Sequence, residues 1–287
     1  MVIKHSPMQN SLNQAQRAVV ELFHQKVRGH ICERLSAVTI NFHPDRLTAS
    51  GQHILKVLAK DGWIRSQFET GTSNGGLSAF EGGERWKWES SAFDGIYDRA
   101  PASDRPKYGA LNYQQQGAGA APRFGSSFFK LKLSILDRTT FCYPESWLGP
   151  KAFGYANVVE HLIALATVDE LDTLDRYIEA HVHGSIFLKT DVESIVLDPC
   201  FRGTDIEADA EKLGCKVEWH KGFKVQVATL NQYPDYRGPQ YVELAHEIAK
   251  QGVITPEIIG NAVNRKVYNE QDLKKVWHYL AMFGDQN

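Results

Sequence analysis

The chain has 287 residues, 43 % of them hydrophobic, enough to bury one large core or two small ones. Its 32 basic and 34 acidic residues give a formal charge of -2, which does not suggest a whole-chain polyanion binder and leaves room for a local basic groove. The four cysteines (Cys32, Cys142, Cys200, Cys215) are scattered without a C-x-x-C pair, so buried free thiols are expected rather than a disulfide framework or a zinc ribbon.

The first dozen residues are mostly polar and lack a signal-type apolar segment, and no run approaches about 18 apolar residues. A soluble cytoplasmic protein without a membrane partner is expected. Export by a specialised secretion machine would leave no readable trace.

Asn13 to Ala37 carries apolar residues at Ala15, Ala18, Val19, Leu22, Phe23 and Val27, a helical spacing. Val38 to Phe42 is a β-rich run stopped by His43-Pro44-Asp45, and Leu47 to Asp61 reads as a second helix capped by Gly62. From Gly62 to Gly125 glycine, serine, asparagine and aromatics dominate, so ordered loops and short strands around a cleft are expected. Strands are expected at Phe128 to Leu133, Thr139 to Cys142, Ser185 to Leu188, Ser194 to Leu197, Cys215 to Trp219 and Lys224 to Ala228. Ala156 to Ala166 reads as a helix. After Pro239 the pattern is helical again, over Pro256 to Val263 and Glu270 to Phe283.

The layout implies an α+β fold whose β-rich centre, two small packed sheets, is flanked by terminal helices. The expected parts are a helical segment with the first strand (1–61), a β-rich core (62–235) and a C-terminal helical segment (236–287), integrated in one domain.

Tyr177 to Gly184 alternates. As a strand it sends Ile178, Ala180 and Val182 to one face and Tyr177, Glu179, His181 and His183 to the other. A carboxylate and two imidazoles on one face suit acid–base work, charge stabilisation or a metal. Zinc would need a third ligand, and no other His/Cys cluster stands out, so no metal is expected. The bland alternative is a solvated edge strand.

His43-Pro44-Asp45 matches the J-domain tripeptide only superficially, because a β-rich run precedes it. A cation at Arg46, beside His43, suits a phosphate. Glu69 to Gly76 is a small-polar loop whose amides, at Asn74 and Gly75 for example, suit an anion nest, but it lacks the P-loop ending and the Rossmann spacing. Arg105 to Tyr113 sets cations beside Tyr108. Arg123 to Phe129 sets a cation, Ser126 and Ser127 at a strand start, without a G-x-S-x-G elbow.

Taken together, the blocks Asn41-Phe42-His43-Pro44-Asp45-Arg46, Arg65 to Leu77, Arg105-Pro106-Lys107-Tyr108-Gly109-Ala110-Leu111-Asn112, Arg123-Phe124-Gly125-Ser126-Ser127 and Asp198-Pro199 with Arg202-Gly203-Thr204 resemble an uncharacterised bacterial domain family. The likeness covers roughly residues 15 to 235. More distantly, the chain resembles mono-ADP-ribosyltransferases of the arginine–serine–glutamate class, with Arg46, Ser126-Ser127 and Glu179 in the class order.

The resemblance implies NAD as substrate and a protein or nucleic-acid acceptor for the ADP-ribose. It implies a toxin or effector role, with an antitoxin or chaperone as the further partner such a protein would have. It assigns catalysis to Glu179, Ser127 and Arg46. It assigns NAD contacts to Arg46, His43, Ser126, Ser127, Asn74 and Gly75, with Tyr108 or Phe128 stacking on nicotinamide. Tyr177, His181 and His183 fall on the acceptor side. Two departures stand out. Tyr177 occupies the position, two before the glutamate, where the class often has Glu or Gln, and Gly125 precedes the serine pair. Glu145, Glu160 and Glu193 are alternative carboxylates. The rival functions are a metal-dependent hydrolase or nuclease using His181 and His183, and a non-enzymatic binding module.

Overall fold

Asn13 opens the first helix with a capping box. Its side chain accepts from the Gln16 N–H, and the Gln16 side chain accepts from the Asn13 N–H. The computed structural model that shows this describes residues 12–71 and 77–284. Asn74 and Gly75 lie outside the described residues.

In chain order the helices are α1 (Gln14–Lys26), α2 (Ile54–Asp61), α3 (Gln67–Thr70), α4 (Glu84–Ala92), α5 (Glu160–Val168), α6 (Leu188–Asp191), α7 (Asp205–Ala210), α8 (Val227–Leu230), α9 (Pro239–Ile248), α10 (Pro256–Asn264) and α11 (Glu270–Phe283). The strands are β1 (Val38–Phe42), β2 (Trp63–Ile64), β3 (Lys107–Leu111), β4 (Ser127–Leu131), β5 (Thr139–Tyr143), β6 (Ala152–Tyr155), β7 (Glu179–Val182), β8 (Ile186–Phe187), β9 (Val192–Leu197), β10 (Lys216–Trp219), β11 (Val225–Gln226) and β12 (Val253–Ile254).

The expected α+β class is observed, with helices flanking one large sheet rather than two small packed ones. Eight strands are ordered β10-β9-β4-β1-β3-β7-β5-β6, and β2-β8 and β11-β12 form two-stranded ladders beside them. All neighbours in the large sheet are antiparallel except β9 and β10.

The two faces of this sheet differ. Val38, Phe42, Leu111, Phe129, Leu131, Phe141, Ala180, Val182, Ile195 and Leu197 build the main apolar core with side chains from α2, α5 and α7. The opposite face is polar. Registers across the sheet put Thr39, Ala110 and Glu179 in one row, with Tyr108, His181 and Thr140 in the next. A small aromatic core of Val19, Phe23, Phe93, Tyr97 and Tyr155 covers this face at β5 and β6.

Two helices differ from expectation at their ends. α1 stops at Lys26 because its apolar spacing runs out at Val27, before Gly29. α2 starts at Ile54, because Thr48 to Gln52 forms a turn closed by the Thr48 N–H to the Gln52 carbonyl at 2.8 Å. Gly62 caps α2 in the left-handed region as expected (φ 83°). α4 falls where only loops and strands were expected.

A second apolar core spans Phe223 to Ala281 and packs the C-terminal helices together. Trp277 of α11 donates from Nε1 to the Pro122 and Arg123 carbonyls, both at 3.0 Å, tying this bundle to the segment before β4. That segment needs Gly125, because a Cβ there would stand 2.0 Å from the Phe42 carbonyl carbon.

Asp45 sits at the same junction, against the backbone of α10. A Cβ on Gly260 would fall 1.5 Å from its Oδ2. Neither carboxylate oxygen has a well-aligned donor. Burial raises Asp45 to about 6, against the opposing pulls of Arg46 and of its own backbone N–H.

The folded chain therefore holds the Asp45 proton more tightly than the unfolded chain. The stabilisation is complete below the ordinary carboxyl range and is lost as pH rises through about 6. Denaturation from about pH 4 to about pH 7 should show a loss of roughly 2–2.5 kcal/mol from this group, absent in Asp45→Asn. Equal pH profiles for the two proteins would contradict that assignment.

Candidate functional site

Glu179 lies in the middle of the polar face. β7 is paired on both sides, by β3 and β5, and all its residues are buried, so it is not the solvated edge strand of the bland reading. The alternation is as expected. Ile178, Ala180 and Val182 enter the apolar core, while Glu179 and His181 share the other face with Tyr108, Thr140 and Cys142.

Glu179 Oε2 accepts a hydrogen bond from Ser146 Oγ at 3.0 Å, and Oε1 lies 3.1 Å from His181 Nε2. Arg85 Nη1 stands 3.8 Å from Oε1 and donates to Ser146 Oγ at 2.7 Å. Burial opposes the charge on Glu179. The His181 hydrogen bond, the Arg85 guanidinium and the Ser146 hydroxyl outweigh it and hold the carboxyl below its ordinary range. Arg85 stays charged, because Tyr108, Glu179 and Glu89 together overcome its burial.

The histidines form a directed chain. Burial lowers both below the ordinary histidine range, more strongly than Glu179 can raise His181, so both are neutral near pH 7. A carboxylate only accepts, so His181 donates from Nε2 to Glu179. His181 Nδ1 then accepts from Thr140 Oγ1 at 3.1 Å. Thr140 in turn accepts from His183 Nε2 at 3.0 Å, and His183 Nδ1 accepts from the Tyr97 hydroxyl at 2.8 Å. Both His183 nitrogens are thus occupied, and His181 and His183 do not face a shared open position.

α4 closes the cluster from above. Arg85 and Glu89, four residues apart, share one helical face and point at the sheet. Glu89 accepts from Arg105 Nη1 at 2.7 Å and from the Tyr108 hydroxyl at 2.8 Å. The Arg85 guanidinium stacks 4.1 Å from the Tyr108 ring, with Trp88 beside His181.

The other sequence-derived residues are distributed more widely. Ser127 Oγ accepts from the Asp198 N–H at 3.1 Å, and the Ser126 carbonyl lies 2.7 Å from His220 Nε2. Ser126 Oγ is buried without a partner. Arg46 follows β1, half-buried, with Nη1 unpartnered and with Asp45 and Glu270 as its charged neighbours. His43 packs edge-on to Trp277 at 4.7 Å. Tyr177 is buried against Phe124, its hydroxyl unpartnered.

The structure therefore brings Arg85 and Ser146 to Glu179 in the places where Arg46 and Ser126 or Ser127 were expected. Among the alternative carboxylates, Glu145 is buried near Glu179 and accepts from the Trp147 N–H. Glu193 pairs with Lys130 on the surface, and Glu160 is exposed in the first turn of α5.

Phe128 lines a groove of about 1000 Å³ on the same sheet face, over β1, β4, β9 and β10. Thr39, Asn112, Lys130, Trp219 and Lys221 line it too. Thr39 is in register with Ala110, and Ala110 with Glu179, so groove and carboxylate are about two strand spacings apart, roughly 10 Å.

Among the described residues no helix is long and apolar enough to cross a membrane. No curated protein matches the chain. The family described as "Protein of unknown function (DUF3626)" matches residues 37–171 and 156–283, most of the sequence, and the chain belongs to that family.

Proposed function

We propose that the protein cleaves NAD at the nicotinamide–ribose bond and transfers ADP-ribose to a macromolecular acceptor, with Glu179 as the charge-stabilising carboxylate. The observation that carries this reading is the state of Glu179. It is buried, yet its neighbours hold it ionised and fix both of its oxygens.

As the bond from ribose C1′ to nicotinamide breaks, the ribose becomes cationic and the leaving group takes the electron pair. A fixed anion in a poorly hydrated site stabilises that charge without reorganising. Once α4 moves aside, Glu179 would also accept from the ribose 2′-hydroxyl, while the acceptor nucleophile adds to C1′ and gives up its proton to solvent. The groove suits the remainder of the dinucleotide. Its volume lies at the upper end of small-molecule sites, Lys221 matches a pyrophosphate, with Lys130 joining it if released from Glu193, and Phe128 offers a ring surface.

The test is incubation of the purified protein with NAD labelled in the nicotinamide and adenylate parts, with and without cell lysate. Release of nicotinamide, with adenylate label retained on macromolecules when lysate is present, is expected. Intact NAD under both conditions would reject the proposal.

A further inference from the structure

Cys142, Glu179 and His181 each direct one metal-ligating atom into the same buried corner. Cys142 Sγ is 3.8 Å from His181 Nε2 and 3.9 Å from Glu179 Oε1, and the last two atoms are 3.1 Å apart. Zinc bonds of about 2.0–2.3 Å in tetrahedral array give ligand–ligand edges of roughly 3.3–3.6 Å, so the three atoms need to move only a few tenths of an ångström.

The surroundings fit as well. Thr140 Oγ1 lies on His181 Nδ1, the outer contact that orients a metal-binding imidazole through its other nitrogen. Ser146 holds Glu179 by Oε2 and leaves Oε1 for the ion. The opposing feature is Arg85, 3.8 Å from Oε1, whose charge the nearby Glu145 carboxyl can balance.

We propose that Cys142, Glu179 and His181 form a site for a zinc-class divalent ion that switches off the chemistry at Glu179 by taking its carboxylate. On binding, the Cys142 thiol loses one proton to solvent. Neutral His181 moves its proton from Nε2 to Nδ1 and donates there to Thr140 Oγ1, whose own hydroxyl turns to His183 Nε2 as the His183 proton passes to Nδ1 and faces the Tyr97 oxygen. The fourth position is left to water. The switch rests on the NAD-cleaving reading; the binding does not.

Cobalt titration of the whole protein, followed by absorption, tests the site. One equivalent should produce the intense thiolate-to-cobalt band, and equilibrium dialysis should give one zinc per chain. Cys142→Ser should abolish the band and weaken zinc binding by more than about 100-fold, and Thr140→Val should weaken it by about 10–100-fold. Should Cys142→Ser fail to fold, Glu179→Gln serves in its place, with the same expected loss of affinity.

No stoichiometric binding by the wild-type protein, or equal binding by the ligand variant, would overturn the site. Zinc should also slow nicotinamide release, and a chelator should restore it. Unchanged release at saturating zinc would overturn the switch. Zinc binding that depends on Cys142 in a protein that leaves NAD intact would support the site and reject only the NAD reading.

Discussion

Glu179→Gln is expected to lower the rate of nicotinamide release by about 10²–10³-fold while changing KM little, because the lost interaction belongs to the developing ribose cation. The amide keeps the shape of the side chain and an acceptor for the Ser146 hydroxyl. It removes the charge that faces Arg85. Glu179→Ala is the poorer probe, since it also removes the acceptor of the buried Ser146 and His181 donors, at about 1–3 kcal/mol for each donor left unpaired. Single-turnover release, measured beside thermal denaturation, separates the two effects. A folded Glu179→Gln protein that works at the wild-type rate would remove Glu179 from the mechanism.

Glu89→Ala is expected to destabilise the fold by about 3–5 kcal/mol, a fall in Tm on the order of 10 °C. Glu89 is fully buried and is the shared acceptor of Arg105 and Tyr108. Its truncation leaves Arg105 with the Tyr97 carbonyl as its remaining hydrogen-bond partner and leaves the Tyr108 hydroxyl proton without its acceptor. Burial raises the Glu89 pKa despite Tyr108 and Arg105, so the carboxylate is already costly to hold. Glu89→Gln should therefore be milder. Combining Glu89→Ala with Arg105→Met should recover part of the loss, since no unpaired charge remains. A single Glu89→Ala variant as stable as wild type would show that α4 is anchored by its aromatic contacts alone.

β7 was readable because period-two alternation survives even when both faces are buried: Ile178, Ala180 and Val182 are apolar, and Glu179, His181 and His183 are not. α4 was not readable, for the complementary reason. The side chains it buries are Arg85 and Glu89, so its inward face is charged and no apolar helical period appears. The glycines before it, Gly82 and Gly83, belong to the glycine-rich stretch from which loops were expected, although Gly83 is the N-cap. The signal that was present is the Arg85, Trp88, Glu89 spacing, three and four apart. The convergence of Arg85 and Ser146 on Glu179 depends on the long-range pairing of β5 with β7, which no local pattern encodes. The same holds for Ser127, whose hydroxyl the β4–β9 pairing commits to Asp198.

The most direct test of the account is a crystal structure of the Glu179→Gln protein with NAD bound. Nicotinamide ribose is expected with its 2′-hydroxyl in hydrogen-bonding contact with residue 179, and pyrophosphate and adenosine in the groove over Phe128. NAD bound elsewhere with residue 179 untouched, or no NAD bound at saturating concentration, would contradict it.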